Sequence, residues 1–338
     1  MTSSPRLPAV GDLPVRITPE RRLSDRLPPA PSPLPHLPFE LPPPDLSPWL
    51  KGNTGLPGVH RFIAAESGPH VALTALMHGN EYAGAIVLAD LLRTQLRPRR
   101  GTLSLIFLNL EAFARFSCET PIRSRFVEED MNRLWTNRSV SSSQEQRRVH
   151  QLLPYIETVD TLLDLHSMLW PGDSLLLAGP SPVGAELAAD IGTPPLVVID
   201  GGHMAGPRLI DMPHFTRPHG SARACLLEAG QHWSLDTLDV TRATVNRFLS
   251  VTGVTDASPR PVPASRIAHV THRVLAQTGR FTFTQPYCSG TVIPERNTLI
   301  ATDGPDEIRT PYDDCMLVMP NFRTARTHTA VRLARFEN

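Results

Sequence analysis

Three apolar runs, at residues 69–79, 101–110 and 161–167, carry hydrophobic residues in succession rather than in alternation. A strand with one wet face alternates apolar and polar residues, so an unbroken run marks a strand covered on both faces. Between the first two runs lies EYAGAIVLADLLRTQL, whose Ala85, Leu88, Ala89 and Leu92 recur at helical spacing. DSLLLAG, PLVVID and RACLLEAG read as further short strands. SSSQEQRRVHQLLPYIETV reads as a helix with serines at its start, although Pro154 interrupts its last turns. SLDTLDVTRATVNRFLS is a third helix, with Leu235, Leu238, Val245 and Leu249 placed for one apolar face. Strands separated by helices and buried on both faces specify an α/β domain.

The flanks follow other rules. Residues 1–50 hold 14 of the 35 prolines. Proline lacks the N–H that helices and central strands need, so this arm is expected to be extended or irregular. It reads either as a ligand for a partner or as an arm lying on its own domain. TGVTDASPRPVPAS, at 252–265, has the composition of a linker. Beyond it the helical period is replaced by short strand-like runs divided by Gly, Pro and Asp. The expected organisation is an N-terminal arm (1–50), an α/β domain (51–252) and a small β-rich C-terminal domain (265–338).

Composition excludes several functions. Lys and Arg total 33 against 33 Asp and Glu, and a zero net charge argues against a nucleic-acid partner. No apolar run approaches the roughly 18–20 residues of a membrane helix, and the N-terminus has no secretory apolar region. A cytoplasmic protein without a membrane partner is expected; its oligomeric state, a homo-oligomer included, is left open. The four cysteines are far apart and form no C-x-x-C pair, which argues against a disulfide scaffold. Neither a G-x-S-x-G elbow nor a nucleotide-binding glycine motif is present.

Chemistry is concentrated at strand ends. His78-Gly79-Asn80-Glu81 follows the first buried run, and the glycine allows a sharp turn that aims imidazole and carboxylate at one point. Both groups bind zinc, at about 2.0–2.2 Å. His166, near the end of the third run, is a candidate third ligand, since the carboxyl ends of strands in open α/β sheets are where ligands bind. Arg125, Asn132 and Arg133 in RFVEEDMNR suit an anionic substrate beside a metal, although the stretch by itself reads more readily as a solvated charged loop. Glu228 closes the apolar strand CLLEAG, where it can enter a cleft and act as a general base or form a surface ion pair. Gln231-His232-Trp233 follows it, to line a pocket or to pack.

HGNE, RFVEEDMNR, DLH and LLEAG, in that order, resemble the succinylglutamate desuccinylase/aspartoacylase family of zinc carboxypeptidase-like hydrolases. The resemblance covers about residues 70–250 and implies a zinc-carboxypeptidase-like mixed sheet flanked by helices. It implies one zinc per chain, held by His78, Glu81 and His166. It makes Glu228 the general base and Arg125 the group that polarises the scissile carbonyl. Asn132 and Arg133 would bind a substrate carboxylate, while Asp130 and Asp164 would orient their neighbours. The chain departs from the family at Ser167, where Asn is frequent. It departs again at Arg217, one position out of register with the arginine that reads a second carboxylate in aspartoacylases.

The expected activity is zinc-dependent hydrolysis of the amide bond of a small N-acyl amino acid or related carboxylate. The alternatives are a metallocarboxypeptidase acting on peptide or peptidoglycan stems, and a non-catalytic binding module of the same fold.

Overall fold

In the computed structural model, described for residues 37, 39–136, 143–203, 205–256 and 261–337, the chain separates into two compact units. The first 36 positions of the proline-rich arm, and Pro38, lie outside the described residues.

The larger unit, Leu37–Ile267, contains strands β1 (Val59–Ile63), β2 (Glu66–Ala75), β3 (Arg100–Phe107), β4 (Thr161–Met168), β5 (Leu175–Ala178), β6 (Leu196–Ile199) and β7 (Arg223–Gln231). Its helices are α1 (Ala83–Arg93), α2 (Leu110–Phe113), α3 (Gln144–Ile156), α4 (Pro182–Ile191), α5 (Pro213–Thr216) and α6 (Leu235–Val251). The strands are ordered β1-β3-β2-β4-β7-β5-β6. β2 pairs in parallel with β3 and β4, and β4 in parallel with β7, whereas β1 and β5 join antiparallel to β3 and β7. The sheet is therefore mixed, with a parallel centre. Every residue of β4 is buried, as its unbroken apolar run requires.

Helices α2, α3 and α6 begin where short polar side chains can hold free N–H groups. Ser143 accepts from Gln146 N at 3.1 Å, Ser234 from Asp236 N at 3.2 Å and Asn109 from Ala112 N at 3.1 Å. Ala85, Leu88, Ala89 and Leu92 of α1 share one core with Leu238, Val245, Phe248 and Leu249 of α6. Leu235, expected on that face, is instead 54% exposed, because it stands at the first position of α6 before the helix settles onto the core. Pro154 does not end α3: only two helical residues follow it, and Glu157 N–H closes the turn onto Leu153 O. The elements here that escape the sequence pattern include β1 and α4. β1 is a half-exposed edge strand, and α4 starts on Pro182 and stops at Gly192, whose φ is 59°.

The second unit, from Ala268 onward, is all β. β8 (Arg266–Leu275), β10 (Val292–Ile293), β13 (Cys315–Val318) and β14 (Thr329–Phe336) pair in the order β8-β14-β13-β10. β9 (Phe281–Phe283), β11 (Leu299–Asp303) and β12 (Asp306–Arg309) form a three-stranded antiparallel sheet. Val274, Phe283, Ile293, Ile300, Leu317 and Leu333 build its own core. β14 is absent from the sequence reading, because Arg332 and Arg335 break its apolar run.

Gly84 brings α1 down onto the strand that carries His166: a Cβ there would stand 2.7 Å from Leu165 Cβ. Gly84→Ala is expected to destabilise the fold by about 1–3 kcal/mol through this overpacking. Urea unfolding monitored by circular dichroism measures the loss, and an unchanged midpoint would contradict the close approach.

Candidate metal centre and active site

Parallel β2, β4 and β7 lie side by side, so their carboxyl ends open on one place. After β2 the chain turns at Leu76, which takes φ 60°, and enters His78-Gly79-Asn80-Glu81 ahead of α1. The turn has no space to spare at its glycine. A Cβ on Gly79 would meet the backbone of Ala112, Phe113 and Ser124 at 2.3–2.5 Å. Its N–H donates to Arg125 O at 3.2 Å, which ties the turn to the loop carrying Arg125.

His78, Glu81 and His166 converge, with one ligand atom from each lying within 4.8 Å of the others. All three are buried. His78 Nδ1 is 2.7 Å from Glu81 Oε1, and His166 Nδ1 is 3.0 Å from Glu81 Oε2. Each imidazole turns its other nitrogen to a different carboxylate. His78 Nε2 is 2.9 Å from Asp130 Oδ1, and His166 Nε2 is 2.8 Å from Asp164 Oδ2. Asp164 is in turn fixed by Thr74, whose hydroxyl donates to Oδ1 at 2.6 Å. A carboxylate behind each histidine sets its ring orientation and leaves the opposite nitrogen for a cation. The donor set, two imidazoles and one carboxylate, fits zinc and other first-row divalent ions.

Electrostatics follow from these pairs. Burial alone would raise the Glu81 carboxyl, but the His78 charge and hydrogen bonds from His166 and His78 hold it well below its usual range. Asp130 is likewise held down against burial, by His78 and Arg125. Burial opposes protonation of His166, yet Asp164 and Glu81 raise it well above an ordinary imidazole. A cation at the focus of the three ligand atoms would take over the neutralising role of such protons.

Arg125 bridges the two acids: Nη1 donates to Glu81 Oε1 at 3.1 Å and Nη2 to Asp130 Oδ2 at 3.2 Å. Its guanidinium side chain remains 35% exposed, so one side faces solvent. Asn132 Oδ1 accepts the Leu209 N–H at 2.9 Å, and Arg133 Nη2 lies 3.8 Å from Asp130 Oδ2. Glu228 is the register partner of His166 on the adjoining strand. Arg217 sits on an exposed turn after α5.

Glu145 and Arg208 support the cluster without having been singled out in the sequence, and His232, read there as lining a pocket or packing, joins them. Buried Glu145 of α3 accepts from Val127 N at 2.7 Å and Glu128 N at 3.2 Å, holding the loop between Arg125 and Asp130. Its position in the first turn of a serine-capped helix was the available signal. Buried Arg208 binds Asp211 and Asp200, and Glu228 contributes to its raised pKa. His232 pairs through Nδ1 with Ser167 Oγ at 2.7 Å, and burial pushes it down to about 4, so it is neutral near pH 7.

The succinylglutamate desuccinylase/aspartoacylase catalytic domain matches residues 67–252, more than half of the chain. The chain belongs to this family. No curated protein matches it. Among solved structures, succinylglutamate desuccinylase from Vibrio parahaemolyticus superposes with a TM-score of 0.65 at 16% identity, covering 83% of this chain and 87% of that one. The enzyme of that name from Vibrio cholerae gives 0.64 at 18% identity, over 83% and 86%. A succinylglutamate desuccinylase/aspartoacylase from Rhodobacter sphaeroides gives 0.63 at 18%, over 82% and 89%. At these identities the likeness establishes a shared fold. The family match spans both the His78–Glu81 turn and Glu228, so the converging side chains lie inside the family's catalytic domain.

Gly79→Ala is expected to displace the His78–Glu81 turn, because backbone atoms and not flexible side chains occupy the space of the new methyl. A fall in melting temperature with loss of zinc uptake, read by thermal shift with and without added zinc, is the expected result. Wild-type values for both would show that the turn has slack.

Proposed function

We propose that the chain is a zinc-dependent amidohydrolase that releases the acyl group from a small N-acyl amino acid or related carboxylate-bearing substrate. The observation that carries this reading is the convergence of His78, Glu81 and His166, each imidazole backed by its own carboxylate. These three residues would hold one zinc ion. When bound, zinc supplies Lewis-acid activation of water and of a carbonyl near neutral pH.

The remaining steps belong to the protein. Glu228, beside His166 on the next strand, would take a proton from the attacking water and pass it to the leaving nitrogen. Arg125 is anchored to two acids and exposed on one side, and would place positive charge where the carbonyl oxygen becomes negative. Asn132 and Arg133 would receive the substrate carboxylate and so fix the carbonyl in place. Asp130 restrains both Arg125 and His78, while Asp164 restrains His166. The exposed position of Arg217 gives no support to a reading in which it recognises a second carboxylate.

The test is amino-acid release from a panel of N-acyl amino acids, with zinc content measured on the same preparation. About one zinc per chain and chelator-sensitive turnover are expected. Glu228→Gln should retain zinc and lose about 10²–10⁴-fold in kcat. Arg125→Ala should lose about 10²–10³-fold. Turnover unaffected by chelator, or a Glu228→Gln enzyme near wild-type rate, would overturn the assignment. Cleavage confined to peptides would shift the substrate class to that of a carboxypeptidase.

A further inference from the structure

The segment after Glu228 reaches back to both ligand-bearing stretches. β7 ends at Gln231, and His232-Trp233 follows directly. His232 N–H donates to Met168 O at 2.8 Å, and its Nδ1 pairs with Ser167 Oγ at 2.7 Å. Ser167 lies where the β4–β7 register shifts, immediately after His166. Its own N–H is 3.3 Å from Glu81 Oε2. A register shift at a strand end is a place where a side chain can be re-aimed, so its restraint fixes the direction of His166.

Trp233 acts on the other stretch. Its indole Nε1 donates to Asn80 O at 3.1 Å, inside the turn between His78 and Glu81. The ring is fully buried and is seated from outside by the chain that leads into the domain. Phe39 stacks on it with centroids 4.1 Å apart and planes 11° apart. The N–H groups of Glu40 and Leu41 both donate to Trp233 O, at 2.9 and 3.0 Å. Tyr82, the residue after Glu81, closes the circuit by donating its hydroxyl to Leu41 O at 2.7 Å.

We propose that His232 and Trp233 are positioning residues for the metal ligands: His232 holds the His166–Ser167 bend and Trp233 holds the His78–Glu81 turn. One dipeptide, clamped by residues 39–41, thereby fixes the spacing between the two histidines. The proposal rests on the metal-binding reading above. Its physical basis is the narrow tolerance of a zinc site, whose ligand distances must agree within about 0.2 Å. Groups that orient ligands are worth about 10–100-fold in metal affinity.

Full-length protein carrying Ser167→Ala or Trp233→Phe tests this. Trp233→Phe keeps an aromatic ring against Phe39 but removes the N–H donor, and Ser167→Ala removes one hydroxyl with little change in volume. Zinc affinity is measured by competition with a chromophoric chelator, alongside the melting temperature of the metal-free protein. Each variant is expected to bind zinc about 10–100-fold more weakly. Ser167→Thr, which restores the hydroxyl, should recover most of the affinity. Variants that melt earlier yet bind zinc as tightly as wild type would reduce the dipeptide to packing and overturn the proposal alone. A wild-type protein that takes up no zinc would overturn the metal reading and this one with it.

Discussion

The buried carboxylate of Glu81 is the point on which the active end of the sheet depends. Oε1 meets His78 Nδ1 and Arg125 Nη1, while Oε2 meets His166 Nδ1 and the Ser167 N–H. Three separate stretches of chain thus share one charged group that is only 3% exposed. A carboxylate this far from water is tolerable only when its lone pairs are occupied by charged or polar donors. The requirement runs outward: the two imidazoles need Asp130 and Asp164 behind them, Asp164 needs Thr74, and the loop holding Asp130 needs Glu145. The cluster is therefore a network whose members hold one another, and removal of one leaves several buried groups unsatisfied.

Such a network needs a rigid base, and the sheet supplies it. His166 and Glu228 are set opposite each other by parallel pairing of β4 and β7, and the parallel β2–β4 pairing places the His78 turn alongside. The strands themselves are apolar on both faces, so α1 and α6 can pack closely on one side, with Gly84 admitting the nearest contact. The charged groups of the cluster lie at the strand ends and in the loops beyond them. Asp164 is the exception, a fully buried acid inside β4, and it is admitted only because Thr74 and His166 both bind it.

Much of this was legible in the sequence where one interaction dominates. Unbroken apolar runs revealed the central strands, and a glycine between His78 and Glu81 revealed the turn that aims them. Elements governed by weaker or mixed forces were not legible. β1 and β14 are strands because of their neighbours and not because of their own patterns, and Arg332 and Arg335 hide the second of them. Leu235 obeys the helical period yet lies at a helix start, where periodicity does not guarantee burial. Arg217 is one position out of register with the resembling family, and in the fold it stands exposed on a turn after α5. Glu145 was invisible as a site residue, and His232 could be read only as lining a pocket or packing, because their partners are distant in sequence and are joined only by the fold.

The order of these residues along the chain also explains how one site can be both strict and adjustable. The metal-ligand candidates and their supporting acids come from strand ends and tight turns, where backbone geometry is fixed by pairing and by excluded volume. The residues proposed to meet substrate, Arg125, Asn132 and Arg133, come from a loop with only short 3-10 turns, tied to the rest at a few hydrogen bonds. Arg125 and Asp130 of that loop bind Glu81 and His78, so under the proposed function only Asn132 and Arg133 could change which carboxylate is received while leaving the ligands in place. A change in the supporting network cannot be so contained, because it reaches the ligands through Glu81. The division follows from where backbone pairing ends, and under the proposed function it sets the metal-ligand candidates apart from Asn132 and Arg133.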